Sequence, residues 1–321
     1  MLAWRQRKTQ FAALLGFLAL LPLTAAPAGA QATNWTGTLG NWSLGSNWSA
    51  GEPNATVDAV FNQLGTATVN MTNESCRNLL IGNDGVSASV TVQAPGTLAV
   101  VGSIRVPYQL SGAFNHQSGL VTCDSLLIGN VPLKIGQYLM QGGNLTVGTV
   151  QMGMVQNSAA TFSIGGLNTH VSVGHSLYVG RGGNLVSGGG TFTVGSMNTD
   201  SLVVIGSFQM VNQPTVNVTN FVLRNLSGIT YTFLPTGITP VISSGALILD
   251  GTLTVFDAGA PNGTYEILRG NSISGTFDTV TLPLVGDWSW RIDGNSVFVS
   301  KGIVAVEPTT WSDVKTRSVR N

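Results

Sequence analysis

Cys76 and Cys123 are the only cysteines in the chain, and each opens nearly the same phrase, "CRNLLIGN" and "CDSLLIGN". As a pair they could form a disulfide or a thiol site; as two copies of one structural position they would carry no chemistry. His170 and His175, in "HVSVGHS", are the nearest approach to a metal-binding pair, and His116 stands apart from both. Their offset of five puts the two on opposite faces of a single strand, which disfavours a shared metal. Asp84 lies in "GNDG", where turn formation accounts for it. Polysaccharide lyases and hydrolases need clustered carboxylates for calcium or acid catalysis, with a base near the scissile bond. Here Asp84, Arg105, Asp124, Lys134, Arg181, Asp200 and Arg224 are scattered singly. "GRGGNLVSGGG" lacks the Gly-Lys-Ser/Thr ending of a phosphate loop, and neither Gly-x-Ser-x-Gly nor CxxC occurs. The sequence therefore nominates no catalytic, cofactor-binding or metal-ligating residue, and the expectation is a protein that is not an enzyme and carries no cofactor.

The elements around these residues are short strands. "NLLIGN" at Asn78, "SLLIGN" at Ser125 and "SLYVGR" at Ser176 align at spacings of 47 and 51 residues, with "SLVVIG" at Ser201 following sooner. Between them run echoes ending in glycine: "LAVVG", "GGNLTVG", "ATFSIGG" and "GGGTFTVG". Alternating Leu, Val, Ile, Phe and Thr make strands, while Gly and Asn make corners. Gly supplies 41 residues and charged types only 9%, which excludes both a helical bundle and a disordered chain. One strand type repeated at a fixed place in each unit points to a solenoid. The expected fold is all-β: a single-stranded parallel β-helix, right-handed by the usual rule, over residues 65–246.

That architecture decides the cysteines. Glycine-ended strands recur every 15 to 27 residues, so Cys76 and Cys123 fall two or three rungs apart. At about 4.8 Å per rung they are roughly 10 to 14 Å apart. A disulfide holds the Cα atoms within about 7 Å. Two unpaired, mostly buried thiols are expected.

The ends differ from the body. Arg5, Arg7 and Lys8 precede the apolar run "FAALLGFLALLPL" and the small-residue site Ala28-Gly29-Ala30, the pattern of a signal peptide over residues 1–30 cleaved after Ala30. Its removal leaves 11 basic against 14 acidic residues, no footprint for nucleic acid. The run is too short for a membrane span, so export to the cell surface, the extracellular space or the outer envelope is expected. Residues 31–64 should form an N-terminal cap and first strands, with Trp35, Trp42 and Trp48 covering the open rung. The alternative is that these rings form a sugar-stacking platform. Residues 247–301 read as an antiparallel C-terminal cap in which Trp288 and Trp290 share one face of a strand, as cap core or as a ligand clamp. Residues 302–321 read as a flexible tail with a short helix after Pro308; Trp311 and Lys315 belong to a candidate sorting tail.

"GNWSLGSNWSAGEPN", "FNHQSGLVTCDSLLIGN", "YLMQGGNLTVG" and the closing "TYEILRGNSISGTFDTVTLPLVGDWSWRIDGNSVFVS" resemble the exported bacterial β-helix proteins, both autotransporter-passenger-like chains and PEP-CTERM-type surface proteins. "VEPTTW" is similar to the Pro-Glu-Pro region of the sorting tail, but the apolar span after it and a β-barrel translocator have no counterpart in these residues. The resemblance implies a non-enzymatic cell-surface, matrix or adhesion role. Polysaccharide or other envelope components are the expected partners, and a carbohydrate-binding module or polysaccharide-active enzyme is the alternative.

Overall fold

The computed structural model describes residues 31–82, 88–195, 197 and 199–302. About 58% of the described residues are strand, wound into a β-solenoid of about ten turns. Among the described residues the one helical element is a single 3-10 turn, Gly45–Asn47. Each full turn carries three short strands. The first face is an eleven-stranded parallel sheet running from Leu39–Asn41 through Gly65–Val69, Ala88–Val92, Gly112–His116 and Ile135–Met140 to Thr279–Thr281. The second and third faces belong to one nineteen-stranded sheet bent at a corner. Long strands such as Leu120–Ile128 cross that corner, with a register shift between Cys123 and Ser125.

Period-two alternation places one side of every strand inward. On the third face Leu79, Ile104, Leu126, Val150, Leu177, Leu202, Phe221 and Leu247 stand in register, rung above rung. All eight are fully buried. The segments of Leu79, Leu126 and Leu177 thus stack as expected, but two turns apart. The 47- and 51-residue spacings are double periods, and single turns along this ladder take 19 to 27 residues. The inner row of the first face is partly aromatic: Phe114 stacks on Tyr138 at 4.7 Å, and Phe162 meets Tyr138 edge-on at 5.3 Å. Each such side chain contributes about 1.5–3 kcal/mol of burial free energy.

The corners explain the glycine content. Gly119 has φ +87°, and a Cβ there would stand 2.2 Å from the Gly96 carbonyl oxygen one turn earlier. Gly143, at φ +83°, meets the Gly119 oxygen in the same way. Only glycine fits so close an approach of successive turns.

Both ends depart from the expected boundaries. The first strands, Ala32–Asn34 and Leu39–Asn41, already pair in parallel with the next turn. Parallel pairing also continues past residue 246, through Ala246–Gly275 and on to Thr279–Thr281. The antiparallel cap is confined to Trp288–Asp293 and Ser296–Lys301, which extend the strand Gly263–Arg269. Longer strands and tight turns in 247–301 suggest hairpins, yet the coil's register outlasts that local signal. The leader at 1–30 and the tail with Pro308, Trp311 and Lys315 lie outside the described residues.

Candidate functional site

Cys76 and Cys123 are both free and buried. Each pairs in register with Val100, so they are two rungs apart, about 10 Å. Burial pushes both thiols well above the usual range, leaving little thiolate to react.

His170 and His175 are both exposed. The strand Thr169–Val173 ends before His175, and Gly174 turns the chain, so the opposite-face parity does not apply. His175 Nδ1 lies 3.9 Å from Asp200 Oδ1. His116 is fully buried, with Nδ1 3.1 Å from the Tyr138 hydroxyl and Nε2 3.4 Å from the Gly119 carbonyl. Burial outweighs the carbonyl's support for the proton and lowers its pKa to about 4. Asp84 lies outside the described residues. Among the described residues no cluster of three metal-ligating side chains occurs.

The tryptophans resolve unequally. Trp35, Trp42 and Trp48 are 0%, 0% and 4% exposed and pack around Phe61 in the coil interior. The Trp48 indole N–H donates to the Trp42 carbonyl at 2.7 Å. A ring with no accessible face cannot stack a sugar, so the platform alternative is corrected: these three rings are a plug. Trp288 and Trp290 share one half-buried face, Trp288 against Phe233 and Trp290 against Phe277, both edge-on. The Lys301 ammonium stands 5.6 Å over the Trp288 ring.

Two carboxylate arrangements near the N-terminal end escaped sequence reading. Asp58 accepts from Arg77 through Nε at 2.8 Å and Nη2 at 2.6 Å, and from Asn78 at 2.9 Å. Burial alone would raise the Asp58 pKa, but these donors outweigh it and hold it low. Glu74 points inward and is buried. Burial first, then a hydrogen bond and repulsion from Glu52, raise its pKa to about 8. A proton shared by two carboxyls can serve acid-base chemistry, but neither residue is among those that line the outer groove of the first face. The only sequence signal for the pair is an acid at an inward strand position.

A groove of about 510 Å³ lies on the outer side of the first face. Thr38, Thr66, Ser89, Ser111 and Gln137 supply its polar lining; Gly65, Ala88, Gly112 and Ala113 are its small residues, with Leu64 and Ile135 beside them. It spans five turns, about 19 Å along the axis. It belongs to a longer surface. Thr66, Ser89, Ala113, Gln137, Thr161, Asn184 and Ser207 stand in register as one outer row. Thr68, Thr91, Asn115, Leu139, Ser163, Val186, Gln209, Thr230 and Thr254 form the next. No member of either row carries a charge. Side chains pair along and between the rows, as Thr66 with Ser89 at 2.7 Å and Gln209 with Asn184 at 3.0 Å. The alternation is visible in "GTATV" and "ASVTV"; the register that builds the rows is not. No family model, curated protein or solved structure significantly matches this chain.

Proposed function

We propose that the protein is a non-enzymatic, exported β-solenoid with a structural or adhesive role at the cell surface or in the extracellular matrix, in the manner of the surface β-helix proteins its sequence resembles. The observation that carries the reading is the outer side of the first face. Two uncharged rows of seven and nine residues, mostly hydroxyl and amide side chains, make a surface suited to extended polymers rather than to one small substrate. The reactive side chains are spent elsewhere: the thiols are buried, and Asp58 is locked to Arg77. Export rests on the leader-like residues 1–30, and polysaccharide or other envelope components are the proposed partners.

Cell fractionation with an antibody to the chain tests the location: the protein should appear on the cell surface or in the matrix, lacking residues 1–30. Recovery from the cytosol with that segment intact would sink the proposal. A reducing-end assay on a polysaccharide panel tests the non-enzymatic part, and chain cleavage there would overturn it.

A further inference from the structure

We infer that the groove on the first face binds a single strand of neutral polysaccharide laid along the coil axis. The inference rests on the surface role proposed above and names what that surface holds.

The chemistry of the lining selects the ligand. Thr66, Ser89 and Gln137 offer donors and acceptors together, and sugar hydroxyls also pair in both directions. No charged side chain lines the groove, so a polyanion finds no counter-charge there. Leu64 and Ile135 are 68% and 52% exposed and give aliphatic surface for the C–H sides of sugar rings.

Ala113 is the smallest side chain of the outer row, in register between Ser89 and Gln137, so the row dips at that turn. Backbone pairing excludes the commonest rival. The four strands from Gly65–Val69 to Ile135–Met140 are hydrogen-bonded on both edges, leaving no free edge for a peptide to add to. A polymer also gains from repetition, because each turn presents the next hydroxyl about 4.8 Å further on.

Ala113→Trp fills the groove on an outward position, and Ser172→Trp places the same ring on an exposed position of the nineteen-stranded sheet, off the first face. Full-length variants are titrated against laminarin, xyloglucan, amylose and chitin oligomers, with alginate as the charged comparison. The expected result is binding of at least one neutral glycan, weakened about tenfold or more by Ala113→Trp and unchanged by Ser172→Trp. Equal binding by both variants, tighter binding of alginate, or no neutral glycan bound overturns the inference. If Ala113→Trp fails to fold, the double variant Ser89→Ala/Gln137→Ala replaces it under the same criterion. Matrix retention that survives Ala113→Trp would remove the groove's role and leave the surface role standing.

Discussion

Both ends of the coil must cover a rung that has no neighbour, and both use tryptophan, but to different depths. At the N-terminal end the segment after Asn41 folds back over the first turn. Trp35, Trp42 and Trp48 enter the interior, with ring centroids 4.8 to 5.1 Å apart where they meet edge-on. At the C-terminal end the cover is an antiparallel hairpin. Its strand Trp288–Asp293 packs by one side only, so Trp288 and Trp290 stay half-exposed, while Leu284 and Val285 just before it are 104% and 81% exposed. Identical residue types therefore do different work. A loop that folds into a coil can bury a ring on all sides, whereas a strand laid across its end can offer only alternate side chains on one side.

The largest expected effect breaks this asymmetry directly. Trp35→Ala should cost about 3–5 kcal/mol in urea unfolding, against about 1–2 kcal/mol for Trp290→Ala. Equal losses would mean that the ends are closed equally.

Acid offers an internal reference in the fourth turn. His116 is neutral in the fold, with its pKa lowered to about 4 from an ordinary 6.5. Its contribution is present above 6.5 and is lost as pH falls through 4, about 3 kcal/mol in all. His116→Gln should flatten the acid limb of the stability profile without altering the difference between the ends.

The N-terminal end should show the opposite trend. Glu74 has a raised pKa of about 8 against an ordinary 4.5. Its contribution is full below 4.5 and is lost as pH rises through 8. Solvent at exposed Glu52 limits the total to ~1–2 kcal/mol. Amide protection factors, taken against the intrinsic exchange rate at each pH, should fall near Glu74 across that window and hold near Trp290, and Glu74→Gln should abolish the trend. A trend shared by both ends would assign it to the whole coil.

At the other end, the Lys301 ammonium pairs with Asp257 at 2.7 Å and also donates to the Ala260 carbonyl at 2.6 Å. Lys301→Met should cost about 1 kcal/mol and loosen only the hairpin. Smallest of all, Leu284→Ser with Val285→Ser should move stability by no more than about 0.5 kcal/mol. A large loss would show that the exposed loop is covered in solution.

Much of this was legible from residues alone. The doublet "NLLIGN" and "SLLIGN" marked an inward ladder, and two cysteines at one position of a repeat implied free thiols too far apart to bond. The outer rows were not legible. Thr66 to Ser89 is 23 residues and Ser89 to Ala113 is 24, while other turns run from 19 to 27. Neighbours in a row are found only once each turn's length is known. The partnership of Glu52 with Glu74 was hidden for a related reason, since a loop residue reaches a strand residue only after the chain has folded back.

By itself the sequence determined that this chain winds into stacked parallel strands with an aliphatic interior and glycine corners, because period-two alternation and tight turns are local properties. Only the tertiary structure decided which aromatic rings are sealed, which carboxyl keeps its proton and which hydroxyls line a groove. Each of these depends on what the neighbouring turn places within a few ångströms, and turns of unequal length conceal that from any linear reading.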